Sequence, residues 1–420
     1  MLERALEELL ALPHIRVMKV EQTTDGAYRI TVESTLSSTK CRRCGRTITT
    51  SHGHDEWLTL QHLPLLGHRV LLRLRPRRFQ CPYCGDKPTT TQELPWYRPR
   101  SPFTKALEED LLRQCVRQTL VDVCLRAEVA YDALEGVLDH YLQAAVDWSS
   151  FRRIDTLGID EIALRKGHRD YVVLITSRQA DGSVRLVTVL PNRERATLER
   201  FLSHIPYRLR RTVVEVCSDM YEGFLGAIKA VFGPEVIVID RFHVARHYRD
   251  AADEVRKQEM KRLKRERSKA SYQLLKGAHW LFRKRPSELR PAEREVLECL
   301  FAAAPAVKTA YELRNGLTAI FDEPLSKAEA VRRFQAWMTQ VRASGLAAFE
   351  RFLGLLERQL DGITNYFRYR SSSGFVEGIN TKARVLTRRC FGLFNLRRFS
   401  QRLLLEIEGR AAVQRCFAAH

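Results

Sequence analysis

The chain has 420 residues, 45% of them apolar, with 70 Lys and Arg against 50 Asp and Glu for a formal net charge of +20. That apolar fraction excludes a disordered or low-complexity protein, and the length suits roughly three domains of about 150 residues. The positive surplus points to a polyanionic partner, either nucleic acid or a membrane surface, and ten cysteines are too few for a disulfide scaffold.

Residues 1–18, MLERALEELLALPHIRVM, have a helical period and carry Glu3, Glu7 and Glu8. A signal peptide has a basic start and an uncharged apolar core instead. No apolar run reaches the ~20 residues of a transmembrane helix. Both features argue for a cytosolic or nuclear protein and against a membrane partner. VEQTTDGAYRITVEST alternates apolar and polar residues around Asp25–Gly26, the pattern of a β-hairpin. HRVLLRLRPRRFQ reads as one strand bearing Arg69, Arg73, Arg75, Arg77 and Arg78, the last four as candidate nucleic-acid contacts, and WYRPRSPF (Trp96 to Phe103) as a linker.

Cys41-Arg-Arg-Cys44 and Cys81-Pro-Tyr-Cys84 are two CxxC pairs, each followed by a glycine, Gly45 and Gly85. Each pair sets two thiolates on one tight turn, and two such knuckles make a closed tetrahedral Zn²⁺ site. The interval of 36 residues between them exceeds ordinary ribbon spacing, so a long hairpin arm must bridge it. His52, His54 and His62 lie inside the interval as alternative ligands, with surface positions the simpler reading. The other six cysteines sit in apolar surroundings and read as core.

From Thr104 to Trp148 the period becomes helical, with Leu107, Leu111, Leu112 and Val116 about one turn apart. TLVDVCLRAEVAYDALEGVLDHYL spaces Val123, Cys124, Val129, Leu134, Val137 and Leu138 as a helix-turn-helix does. Its second helix carries Asp132, Glu135 and Asp139, which are unfavourable beside phosphate. Contact with DNA and an ordinary helical hairpin both remain open here.

LGIDEIAL, RDYVVLITS and VRLVTVL are apolar, β-rich runs separated by Gly167–His168 and Asp181–Gly182, as in an antiparallel meander. A helix (TLERFLSHI), a strand (TVVEVCSD), a helix (YEGFLGAIKAVF) and a strand (EVIVID) follow. The order β-β-β-α-β-α-β is that of an RNase H-like fold. From about Ala245 to Arg370 the chain reads as helix throughout.

Three acids stand out in this frame. Asp160 lies in or just past the first strand, where a charge amid apolar residues is unfavourable unless paired or metal-bound. Asp219 ends the fourth strand, the neighbour of the first in this topology. Glu377 follows Ser371–Gly374, which can cap a new helix returning to the sheet. Three such carboxylates hold two Mg²⁺ (or Mn²⁺) ions about 4 Å apart for phosphodiester chemistry. Asp240-Arg-Phe-His243 follows the fifth strand. Asp240 is an alternative second acid, with Asp219 preferred, and Asp240 and His243 either brace the site or form a structural pair. Residues 254–285 carry 12 Lys and Arg against 3 acids, with Tyr272, Trp280 and Phe282 interleaved, and residues 378–405 carry 7 and none. The first tract reads as nucleic-acid contact or as a solvated helix face. The second, with Lys382, Arg384, Arg388 and Arg389, reads as a phosphate clamp.

CRRC…RPRRFQCPYC, GIDEIALRKGH, VCSDMYEGFLGAIKAVF, VIDRFHVARH and SSGFVEGINTKARVLTRRCFG, in this order, resemble the ISL-three family of bacterial insertion-sequence transposases. The resemblance runs from about Leu12 to Arg402. It implies a multidomain α+β protein: a zinc-binding domain (1–98), a helix-turn-helix-like domain (104–148), an RNase H-like core (152–244), a helical insertion (245–370) and a return to the core (371–420). It also implies a DDE enzyme with Asp160, Asp219 and Glu377 as catalytic acids, and Asp240-x-x-His243 as the [C/D]xxH signature. Its partners would be terminal inverted repeats and target DNA, with two or more protomers pairing the ends, in the bacterial cytoplasm at the nucleoid. The rivals are a DNA-binding regulator with an inert core, a nuclease that only hydrolyses, and a nucleic-acid scaffold.

Overall fold

A computed structural model describes residues 2–143, 145–165, 169–370 and 374–418. The chain divides into two compact units, Met1–Ala145 with Leu386–His420, and Val146–Val385.

In the first unit α1 (Leu2–Leu10) leads to β1 (Ile15–Gln22) and β2 (Tyr28–Ser34), an antiparallel pair turning at Gly26, whose φ is +83°. Short strands β3 (Thr39–Lys40), β4 (Thr47–Ile48) and β5 (Ser51–His54) precede a hairpin of β6 (Leu58–Leu65) and β7 (His68–Leu74). Then come β8 (Arg77–Gln80) and β9 (Thr89–Thr91). One sheet has the order β1-β2-β7-β6, another β5-β8-β9. The run from His68 to Gln80 is therefore two strands in two sheets, not the one expected. Pro76 stands between them and has no N–H to give a ladder. The inward row of β7, Val70, Leu72 and Leu74, packs with Ile30, Val32 and Leu60. Trp96 to Phe103 is no loose linker: Trp96 and Phe103 are buried, and Lys105 N–H donates to Trp96 O at 2.9 Å.

Next come α2 (Lys105–Gln114), α3 (Leu120–Ala127) and α4 (Tyr131–Tyr141). Thr104 and Thr119 cap α2 and α3 through their side chains. Glu128, at φ +52°, reverses the chain between α3 and α4.

The second unit is built on β10 (Thr156–Arg165), β11 (Arg169–Arg178) and β12 (Val184–Leu190), an antiparallel meander. The expected turn at Gly167–His168 lies outside the described residues; that at Asp181–Gly182 has Gly182 at φ +81°. After α5 (Arg195–Ser203) and α6 (Tyr207–Arg210), β13 (Glu215–Ser218) joins β10 in parallel. After α7 (Glu222–Phe232), β14 (Ile237–Ile239) joins β13 in parallel. The sheet order is β12-β11-β10-β13-β14, so β10 is central. Leu157, Ile159, Val173 and Val216 of the sheet share one core with Leu198, Leu202, Phe224 and Ile228 of α5 and α7.

Helices α8 (Arg241–Glu266), α9 (Lys269–Lys276), α10 (Pro291–Ala303), α11 (Pro305–Asp322), α12 (Lys327–Ser344), α13 (Glu350–Thr364) and α14 (Tyr366–Tyr369) follow. Trp337 Nε1 ties α12 to α11 by donating to Leu313 O at 2.8 Å. Then α15 (Gly374–Arg389) begins; Ser371 to Ser373, expected to cap it, lie outside the described residues. The chain ends in α16 (Leu396–Glu408) and α17 (Arg410–Ala418). Leu405, Ala412 and Val413 complete the core of α2 to α4, so residues from Leu386 onward, read from sequence with the catalytic core, cluster in the first unit.

α15 lies hard against β10. A Cβ on Gly158 would stand 2.4 Å from Val376 Cγ2 and 2.8 Å from Phe375 Cε2. Gly158→Ala therefore forces α15 or the strand to shift. Overpacking of this kind costs about 1–3 kcal/mol, and urea unfolding of the variant should show that loss. A variant as stable as wild type would mean that α15 is not seated at this position.

Candidate functional site

The four cysteines come together. The Sγ atoms of Cys41, Cys44, Cys81 and Cys84 all lie within 4.8 Å of one another, with Cys44–Cys81 and Cys81–Cys84 at 3.7 Å. Four thiolates about 2.3 Å from a tetrahedral Zn²⁺ would stand about 3.8 Å apart, so the cluster fits zinc. The amides of Cys44 and Arg43 bring the Cys41 thiol down to about 6, whereas burial and the neighbouring thiols push Cys84 up to about 12. Gly45 turns the first knuckle at φ +71°, and its N–H reaches Cys41 O at 2.9 Å. In the second knuckle the left-handed residue is Lys87 at φ +42°, not Gly85, and its N–H reaches Cys84 O at 3.0 Å.

The 36-residue interval is filled by β4 to β8, with the β6–β7 hairpin pairing into the other sheet beside β2. His52 and His54 are exposed. His62 is buried, not on the surface: Nδ1 meets Thr104 Oγ1 at 2.8 Å and Nε2 meets Leu10 O at 3.2 Å. Burial lowers its pKa and keeps it neutral. Of the remaining cysteines Cys115 and Cys217 are buried as expected, but Cys299 is exposed.

The acids gather on and just past the parallel strands β10, β13 and β14 of the second unit's sheet. β10 and β13 pair with Gly158 opposite Cys217, and β13 and β14 with Ser218 opposite Ile239. Two residues past the first pair stand Asp160 and Asp219; one past the second stand Asp219 and Asp240. Three acids thus share one level on three adjacent parallel strands. Asp160 Oδ1 accepts the Glu161 N–H at 2.8 Å, and Oδ2 accepts Asn380 Nδ2 at 2.5 Å. Burial pushes the Asp160 carboxyl up to about 6; the Glu161 amide, His243 and Asn380 oppose the rise, and the Asp219 charge adds to it.

Asp219 Oδ1 accepts the Tyr221 N–H at 3.0 Å. Asp240 is buried and caps α8, its Oδ1 accepting the Phe242 N–H at 2.9 Å, while Oδ2 stands 3.9 Å from His243 Nε2. Glu377 is exposed in the first turn of α15. Asn380, three residues later and so on the same helix face, carries α15 onto Asp160. Among the described residues the cysteines are the one group of three or more ligating side chains with all donor atoms within 4.8 Å; the carboxylates stand wider apart.

Gly158 and Asn380 escaped the sequence reading. A glycine inside an apolar strand is the usual sign of a close backbone approach; an amide one turn after an acid gives a weaker one.

The arginines divide. Arg73 stacks on the Trp57 ring at 4.3 Å, and Arg75 Nε donates to Asp55 O at 3.1 Å. Arg77 pairs with Glu33 at 2.6 Å, and Arg78 donates to Thr89 Oγ1 at 2.7 Å. Lys382, Arg384 and Arg388 are exposed, whereas Arg389 pairs with Glu406 at 2.9 Å. The acids of α4 find partners in α16: Arg398 reaches Glu135 at 2.7 Å and Asp139 at 2.5 Å, and Arg397 reaches Asp139 at 3.1 Å. Asp132 alone of the three stays exposed. Within the basic tract, Arg402 is buried and donates to the Cys115 and Gln118 carbonyls, so it serves the fold.

Three family models match the chain: one described as transposase over residues 157–403, one as zinc-finger of transposase IS204/IS1001/IS1096/IS1165 over 37–84, and one as helix-turn-helix domain of transposase family ISL3 over 92–142. The chain is 26% identical over 419 residues to the transposase for insertion sequence element IS1001 of Bordetella parapertussis, covering 98% of this chain and 100% of that one. It is 23% identical over 395 residues to the transposase for insertion sequence element IS1557 of Mycobacterium tuberculosis, covering 88% and 86%.

Cys81→Ser should remove bound zinc and the local structure that depends on it, read as zinc content and circular dichroism; a variant keeping its zinc would show that the cluster is not the metal site. For Asp160 the folded pKa lies above the unfolded one. The group's contribution to stability is therefore full below about pH 4 and lost as pH rises through about 6. Without divalent cations, Asp160→Asn should stabilise the protein at pH 8 by roughly 1–3 kcal/mol, with the gain fading near pH 4. A gain independent of pH would contradict this assignment.

Proposed function

The chain belongs to the ISL3 family of insertion-sequence transposases, and from that premise we propose that Asp160, Asp219 and Glu377 form a DDE centre that cuts and joins DNA. Its zinc ribbon and helix-turn-helix are the DNA-binding domains of such an enzyme. The observation that carries the reading is the register that sets Asp160 beside Asp219 on neighbouring parallel strands, with the Glu377 helix docked on Asp160. The order β12-β11-β10-β13-β14 supports an RNase H-like core, with α8 to α14 as the helical insertion before the glutamate helix.

The residues present suit divalent cations. Asp160 resists ionising where it stands, and a nearby cation removes that resistance. Bound there, Mg²⁺ or Mn²⁺ would supply an activated oxygen nucleophile and charge neutralisation at phosphorus. The carboxylates would hold the cation, and Asn380 and the Glu161 amide keep Asp160 fixed for that role. In cleavage a water oxygen bonds to phosphorus and the bond to the 3′-oxygen breaks, releasing a 3′-hydroxyl. In joining, that hydroxyl bonds to a target phosphorus as a target P–O bond breaks, so the number of phosphodiesters is unchanged and no further energy source is required.

The zinc ribbon, the helix-turn-helix and the exposed Lys382, Arg384 and Arg388 hold the element's terminal inverted repeats and the target DNA. Neutralisation of Glu135 and Asp139 by Arg398 favours the DNA-contact reading of α4. Joining two ends requires at least two protomers or two bound ends held together. The enzyme acts in the bacterial cytoplasm, at the nucleoid.

A Mg²⁺-dependent cleavage and joining assay on the flanking inverted repeats tests the reading. Asp160→Ala, Asp219→Ala and Glu377→Ala should lose cleavage and joining while still binding ends. Asp240→Ala should keep activity at a stability loss of about 0.5–2 kcal/mol, the value of a helix cap. Activity lost in Asp240→Ala and kept in Asp219→Ala would move the second acid to β14. Hydrolysis without joining would make the protein a nuclease. Binding without either would make it a regulator.

A further inference from the structure

The helix α15 ends in a turn that glycine ordinarily makes. Gly392 N–H donates to Thr387 O at 2.9 Å and Phe391 N–H to Arg388 O at 3.1 Å. These are the paired bonds of a Schellman end, with Phe391 at its left-handed position, φ +52°. A side chain there strains the backbone, and this one gains no contact in return, being 98% exposed. Phe394 is 54% exposed, and its ring lies so close to Gly392 that a Cβ there would stand 2.8 Å from Cζ. One short loop thus presents two aromatic rings to water, with the exposed Arg388 just ahead of them. An exposed apolar surface of this kind marks a contact with a partner.

The position of the loop identifies that partner. α16 follows at once: Asn395 caps it, and Arg397 and Arg398 in its first turn reach Asp139 and Glu135 of α4. On the other side of Phe391, Cys390 stands within electrostatic reach of Tyr131, the first residue of α4. The loop is therefore fixed beside α4 and continues the surface of the helix-turn-helix. The second helix of such a motif enters the major groove, so a loop held at its flank meets the same duplex, and Arg388 suits the phosphates there. A second copy of this chain fits less well, because the arginine and a net charge of +20 repel a like surface.

We infer that Phe391 is a wedge that slots between adjacent base pairs of the element-end duplex, beside the stretch that α4 reads, with Phe394 behind it. The inference rests on the helix-turn-helix holding the ends. Phenylalanine serves DNA-bending proteins in this way, unstacking one base step so that the bent duplex covers more of the protein.

The test is binding of the zinc-loaded full chain, without added Mg²⁺ or Mn²⁺, to end duplexes carrying 2-aminopurine at successive positions. The proteins are wild type, Phe391→Gly, Phe391→Trp and Leu66→Gly. Wild type should raise the 2-aminopurine fluorescence at one step, where a base loses its stacked neighbour. Phe391→Gly should abolish that rise and weaken binding at least about fivefold. Its urea midpoint should be no lower than that of wild type, because glycine suits a positive φ. Phe391→Trp should keep both the rise and the affinity. Leu66→Gly removes a side chain that is 89% exposed at φ +51° on the β6–β7 turn, and should bind as wild type does. Undiminished binding in Phe391→Gly, an equal loss in Leu66→Gly, no rise in wild type, or a Phe391→Gly that loses stability along with binding overturns the inference. So does a DNA-free dimer, seen by sedimentation, that Phe391→Gly abolishes. A wild type that binds no end duplex would instead overturn the helix-turn-helix reading beneath it.

Discussion

Gly158 has no side chain, and α15 occupies the room that a methyl group would take. β10 is the central strand of its sheet, held by β11 on one side and β13 on the other, so it cannot retreat. The close approach lets the Asn380 amide reach Asp160 across 220 residues of sequence. It also buries Asp160 far enough to resist ionisation. Docking of the helix and the electrostatics of the carboxylate are thus one arrangement. The helices from α8 to α14 must fold so as to return α15 to this spot, and the entropy of closing so long a loop grows only slowly with its length.

Much of this was legible in the sequence wherever one face of an element is buried. The meander of β10 to β12 showed in its apolar runs, the α2 to α4 helices in their leucine spacing, and the knuckles in their cysteine pairs. What escaped was set by partners distant in the chain. Glu135 and Asp139 looked wrong for a DNA-facing helix because Arg398, which neutralises them, lies some 260 positions away. His62 looked superficial because Thr104 and the Leu10 carbonyl, which satisfy its ring, belong to other elements. The break at Pro76 is readable from its missing N–H. Asp160 and Asp219 were recognised as neighbours by strand order alone. Asn380 was not, since no periodicity marks an amide that bonds to another element.

The small cluster around Cys41, Ile48, Phe79 and Cys81 is too little apolar surface to hold β3, β4, β5, β8 and β9 together unaided. A metal tie supplies what that core lacks. The β6–β7 hairpin leaves the ribbon and joins β1 and β2, so the interval between the knuckles is structured for a second purpose. That accounts for its length, which would be wasteful in a free-standing ribbon.

The first unit is made from both ends of the chain, and Leu405, Ala412 and Val413 close the core of α2 to α4 while Arg402 satisfies the carbonyls ahead of α3. Synthesis on the ribosome is vectorial, and a domain ordinarily folds as soon as it emerges. Here the core of α2 to α4 is completed by residues that come after the acidic centre in the chain. A chain cut short by a frameshift or an early stop would carry the acids without a finished DNA reader. The packing of α2 to α4 is thereby tied to residues that follow the acidic centre in the chain.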